Sequence, residues 1–166
     1  DGTLLNNEKA VSEYTRRTLN QLIAGGLHFS IATARTAATV GKLLAGLHIN
    51  LPVILMNGVM IYDINKAEYL KIEIIPRPTV KAIIAVLKEH NLTGFMYAVS
   101  GNQLITYYEN LNSPAMREFY HERANRYQKT FEKTVSLMNI ARESQIIYFA
   151  LLDEQNPLAL IHAALK

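Results

Sequence analysis

The sequence predicts an α/β fold, with a parallel α/β sheet over residues 1–75 followed by an inserted α+β unit over residues 76–166. Three observations carry this. Helical and strand-like segments alternate through the first part, which is the order that builds parallel sheets. After Asn57 and Gly58 the pattern changes to paired short strands around a turn. Pro76 and Pro78 then punctuate a junction, where the boundary is placed.

Residues 12–24 read as a helix because Val11, Tyr14, Leu19, Leu22 and Ile23 fall near helical spacing, with Ser12 as N-cap and Gly25 and Gly26 as the stop. The apolar, β-branched run 27–32 reads as a strand, 36–45 as a second helix ending at Gly46, and 52–56 as a strand buried on both faces. Segments 59–62 and 69–74 flank Asp63, Asn65 and Lys66 and read as a hairpin. In the second unit Val80, Ile83, Ile84 and Leu87 make one stripe of a helix over 79–90. Strands at 94–99 and 103–108 follow, joined by Ser100, Gly101 and Asn102. Residues 113–124 read as helix, 134–143 fit either state, and 145–152 read as strand. Asn156 and Pro157 supply the cap and first turn of a last helix over 158–165.

Composition narrows the function classes. With 49% hydrophobic and 19% charged residues the 166-residue chain is a packed protein and no disordered tail. Seventeen Lys and Arg against fourteen Asp and Glu give +3, spread in ones and twos. Such scatter argues against nucleic acid; the mildly basic balance suits a small anionic ligand such as a phosphate ester, and it is also what an ordinary solvated surface shows. The absence of cysteine excludes disulfides, thiolate metal sites and cysteine nucleophiles. No apolar run approaches the roughly 20 residues that span a bilayer, so no membrane is expected and the cytoplasm is the default location. The five histidines are far apart and lack metal-ligand spacing.

The informative strings stand at strand ends: Asp1-Gly2-Thr3-Leu4-Leu5, Ile31-Ala32-Thr33-Ala34-Arg35, and Met56-Asn57-Gly58-Val59. Ligands in open α/β sheets gather at such ends. The first resembles the second half of the Asp-x-Asp-Gly-Thr-Leu-Leu motif of haloacid dehalogenase (HAD) phosphatases. The second resembles that family's apolar strand ending in Thr-Gly-Arg, with Ala34 in place of Gly. The third resembles the Asn-Gly-Ala segment of the Cof-type, sugar-phosphatase-like branch. The specific motifs cover residues 1–63, and beyond about residue 76 only element order matches.

The resemblance implies an incomplete Rossmann-like core with an α+β cap. It also implies a Mg²⁺-dependent phosphomonoester hydrolase that works through an aspartyl-phosphate on a small phosphorylated metabolite. By it, Asp1 is the general acid and base, and its backbone carbonyl is a metal ligand. Thr33, Arg35, Asn57 and Gly58 are the phosphate-binding candidates. Two other roles stay open: Thr33 as cap of the next helix with Arg35 on the surface, and Asn57 as a purely structural turn residue. The nucleophile is expected two residues before Asp1, and the remaining Lys and acidic metal ligands beyond Lys166. The 166 residues alone are therefore expected to be inactive. A phosphomutase or phosphotransferase shares these motifs, and a non-catalytic ligand-binding module would keep the fold; monomer and homo-oligomer are equally open.

Overall fold

The structure is a computed structural model that describes residues 3–153, 158, 159 and 162. Asp1, Gly2 and most of the helix expected over 158–165 lie outside the described residues. The chain divides into two compact units, Asp1–Ile72 and Glu73–Lys166.

In the first unit, α1 (Glu13–Ala24) starts where Ser12 accepts a hydrogen bond from the Thr15 N–H at 3.1 Å. It ends in a left-handed cap: Gly26 has φ 99° and donates to Ile23 O, and Leu27 N–H reaches back to Leu22 O at 2.9 Å. The 27–32 run departs from expectation: it is not a strand with a ladder, and its first N–H closes the helix. Among the described residues only Ala32 pairs, through one parallel bridge to Ile54, with Ile54 N–H donating to Ile31 O at 2.9 Å and Thr33 N–H to Ile54 O at 3.0 Å.

α2 (Ala37–Leu43) follows, then β1 (Val53–Leu55), β2 (Met60–Asp63) and β3 (Glu68–Ile72). These strands form an antiparallel sheet in the order β1-β2-β3. The β2–β3 turn is set by Asp63, whose Oδ1 accepts from the N–H groups of Asn65 and Lys66 at 2.9 and 3.1 Å. The expectation that β1 is buried on both faces is corrected: Val53 and Leu55 are fully buried, but Ile54 between them is 42% exposed. Its side chain takes the opposite face of the pleat. On α1, Val11 before the helix and Ile23 are buried, whereas Tyr14 and Leu22 face outward.

The second unit contains α3 (Arg77–Glu89), β4 (Phe95–Ser100), β5 (Gln103–Tyr108), α4 (Pro114–His121), a π-helical turn (Glu122–Arg126), β6 (Phe131–Lys133), α5 (Leu137–Glu143) and β7 (Gln145–Ala150). Its sheet has the order β6-β5-β4-β7, with β5–β6 parallel and the other pairs antiparallel. The parallel strand β6 had no counterpart in the sequence reading. One face of the sheet packs an aliphatic core in which Met96, Ala98 and Ile146 meet Val80 and Ile84 of α3 and Leu137 and Ala141 of α5. The other face is aromatic: Phe95 lies 5.2 Å from Phe119 and 5.5 Å from Phe131 between ring centroids, and Tyr108 lies 5.5 Å from Tyr120. Alternation along β4 sends Phe95 and Tyr97 to this face and Met96 and Ala98 to the other.

Candidate active site at the Thr33 and Asn57 strand ends

Two chain segments run side by side and end together. After the bridge at Ala32, the Asn57 N–H donates to Thr33 O at 3.1 Å and the Met56 N–H to Arg35 O at 3.2 Å. The turn that makes these bonds winds the left-handed way: φ is 51° at Met56, 58° at Asn57 and 97° at Gly58. Asn and Gly tolerate that region, whereas Met pays for it, at roughly 1–2 kcal/mol for an ordinary L-residue. Met56 is held there by burial, at 2% exposure. The turn is closed by Val59 N–H donating to Met56 O at 3.3 Å.

This arrangement brings Thr33, Asn57 and Gly58 around one open cleft of about 490 Å³, which Ala32, Ala34 and Ile54 also line. Thr33 does not cap the next helix; Thr36 occupies the N-cap of α2. The Thr33 hydroxyl accepts from Arg35 N–H at 3.2 Å. Its own proton meets no acceptor among the described residues and remains available to donate. Ala34 does not sit at positive φ, so the alanine costs nothing where a glycine was expected.

Arg35 is placed differently from Asn57 and Gly58. It lines a second, more apolar cavity of about 430 Å³, together with Thr3, Leu4, Leu5, Thr33 and residues of α2. Thr33 therefore stands at both hollows. The segment that follows Asp1 and Gly2 shares the second with it. Asp1 itself lies outside the described residues.

Among the described residues no three His, Asp or Glu side chains gather as a metal-ligand set. In this unit both hairpin tyrosines have displaced ionisations. Tyr69 is pushed up to about 12, chiefly by burial and then by Tyr62, and Tyr62 is raised by burial and by Asp63. Neither residue lines the cleft. The sequence reading missed Ala32, Ala34 and Ile54 as cleft-lining positions. Their only signal was adjacency to Thr33 along the strand and across the bridge.

With this geometry in hand, comparison with known proteins gives a family. Residues 1–165 match the haloacid dehalogenase-like hydrolases. The chain belongs to that family. Among curated relatives, it is 41% identical over 71 residues to a Buchnera aphidicola protein provisionally named a phosphatase, covering 40% of this chain and 25% of that one. It is 30% identical over 99 residues to the pyridoxal phosphate phosphatase YbhA of Escherichia coli, covering 58% and 36%. A haloacid dehalogenase-like hydrolase from Bacteroides thetaiotaomicron superposes with a TM-score of 0.75 at 19% identity, covering 99% of this chain and 60% of that one. At that identity the likeness speaks to the fold alone. The matched stretches thus span a quarter to about a third of these curated relatives, and 60% of this solved structure. The resemblance drawn from the Asp1, Thr33 and Asn57 strings to this family, Cof-type branch included, agrees with these matches.

Proposed function

We propose that the whole protein is a Mg²⁺-dependent phosphomonoester hydrolase that acts on a small phosphorylated metabolite such as a sugar phosphate. The family supports hydrolase chemistry, and the named relatives support a phosphatase. The observation that carries the reading is the hydrogen-bonded junction of the Thr33 segment with the Asn57 turn, which sets a hydroxyl whose proton meets no acceptor among the described residues in the lining of a cleft. Thr33 Oγ1 donates to a phosphoryl oxygen, and Asn57 and Gly58 shape the floor that receives it. Asp1, four residues or fewer from Thr3, Leu4 and Leu5 at the neighbouring cavity, serves as general acid and base. The second unit acts as a cap that selects the ester, and the reaction takes place in a cytoplasmic setting.

A divalent ion bound with this group would screen the charge that builds on the transferring phosphoryl. The described residues supply no ligand set for it by themselves, so Mg²⁺ enters as a dependence to be measured. The test is hydrolysis of a panel of sugar phosphates and other small phosphate esters by the full-length protein, with and without a chelator, and by Asp1→Asn. Loss of turnover on chelation and in the variant is expected. Turnover that survives both contradicts the proposal.

A further inference from the structure

The aromatic face of the second unit holds an amine with no carboxylate partner among the described residues. Register places Tyr97 beside Thr106 on β5 and Tyr148 on β7, and Thr106 beside Phe131 on β6, so these side chains share one face of the sheet. Lys129 is 8% exposed. Its Nζ lies 4.0 Å from the centroid of the Tyr97 ring, 5.3 Å from Phe131 and 5.6 Å from Phe119. Its backbone N–H donates to Arg123 O at 3.2 Å. No carboxylate pairs with it among the described residues.

The neighbouring charges do not compensate. From the π-helical turn comes Arg123, whose guanidinium lies 5.0 Å over Phe119 and is ion-paired with Glu122. Arg126 stands over Tyr127 at 5.6 Å. From α4, Tyr120 packs on Phe131 and against His121. The sheet contributes Tyr97, with Tyr148 against it at 5.6 Å, and Tyr108. Tyr97 is held as the neutral phenol, raised chiefly by its burial, so it provides no counter-charge. Ring faces attract an ammonium, but three of them replace only part of the hydration it gives up.

The segment that carries Lys129 is also irregular. Residues Glu122–Arg126 form a π-helical turn, and Gln128 has φ 52° although it is not glycine. Such backbone persists only where its surroundings hold it, and it is where local opening is easiest. Tyr127, 3% exposed with its hydroxyl buried and unpartnered, adds to what opening would relieve.

We propose that Lys129 and its box of Tyr97, Phe119 and Phe131 form a proton-operated latch on residues 122–129. A neutral amine keeps the segment packed on the sheet, and a proton taken from solvent drives it to open so that the ammonium reaches water. Burial and, after it, the Arg123 charge push this amine down to about 7 from 10.5, so opening takes up a proton between those values and levels off below pH 7. If the released amine regains its ordinary value, opening of the segment is about 30-fold more populated at pH 6 than at pH 8.5.

The experiment is amide hydrogen exchange on the full chain at those two pH values, corrected for the intrinsic exchange rate, for the wild type and Lys129→Met. Faster opening of residues 122–131 at pH 6, on that order, in the wild type alone is the expected result. A flat wild-type profile, or the same pH dependence in the variant, overturns the proposal. Should the variant not fold, the wild type labelled with ¹³C at lysine Cε decides it: one lysine titrating near neutrality supports the latch, and all lysines titrating above pH 9 overturns it.

Discussion

Replacing Asn57 separates the turn's backbone from its chemistry. Asn57 sits at φ 58° and ψ 34° between Met56 and Gly58, both also at positive φ. A β-branched residue is a true outlier there, and the left-handed region costs an ordinary L-residue roughly 1–2 kcal/mol, with Asn and Gly spared most of it. Asn57→Val should therefore destabilise the first unit by about 2 kcal/mol relative to Asn57→Gly, read as a shift in the denaturant midpoint at unchanged slope. The turn bonds directly to Thr33 O and Arg35 O at 3.1 and 3.2 Å, so its distortion moves the Thr33 strand end. A misplacement of about 1 Å at a reacting site costs on the order of 100-fold in rate. Asn57→Val should lose activity on that scale, whereas Asn57→Gly should keep it within about tenfold. Equal stability and equal activity of the two variants would refute the reasoning.

Three further outcomes follow from the second unit. Phe95 is fully buried among Phe119, Phe131 and Tyr108, so Phe95→Ala should cost about 3–5 kcal/mol in denaturant unfolding. Ser113 Oγ accepts from Met116 N–H at 3.1 Å and donates to Leu152 O at 2.6 Å. Ser113→Ala should cost about 1–2 kcal/mol, and Ser113→Thr, which keeps the hydroxyl, should recover much of it. Lys129 has its amine lowered on folding from 10.5 to about 7, so between those values the unfolded chain holds a proton that the folded chain has released. Its contribution to stability is level below pH 7 and rises from there towards pH 10.5, by about 5 kcal/mol over the full span. Urea unfolding across pH 7–9.5 should show that rise in the wild type and lose it in Lys129→Met.

Local rules made much of the fold legible. Ser12, Gly25 and Gly26 mark the ends of α1 because capping chemistry is written in adjacent residues, and the Asp63 turn marks the hairpin for the same reason. What escaped depends on distant partners. β6 is three residues without clear alternation, and only its parallel pairing with β5 makes Phe131–Lys133 a strand. The 27–32 run looked like a strand by composition, but its first N–H was already committed to Leu22 O. At the site, the meeting of Thr33 with Asn57 was readable because both follow apolar runs that end at the same edge. The separate placement of Arg35 was not, since it depends on how the chain turns after Ala34. The buried Lys129 gave no warning either, because lysine is ordinarily a surface residue and its box draws on three elements.

The central claim is that the Thr33 hydroxyl donates to the phosphoryl group, and kcat/KM of full-length Thr33→Val and Thr33→Ser on a small phosphate ester tests it most directly. Val keeps the shape and removes the donor, so a loss of about 100- to 1,000-fold is predicted, with Ser within about tenfold of the wild type. A Val variant as active as the Ser variant would contradict the account.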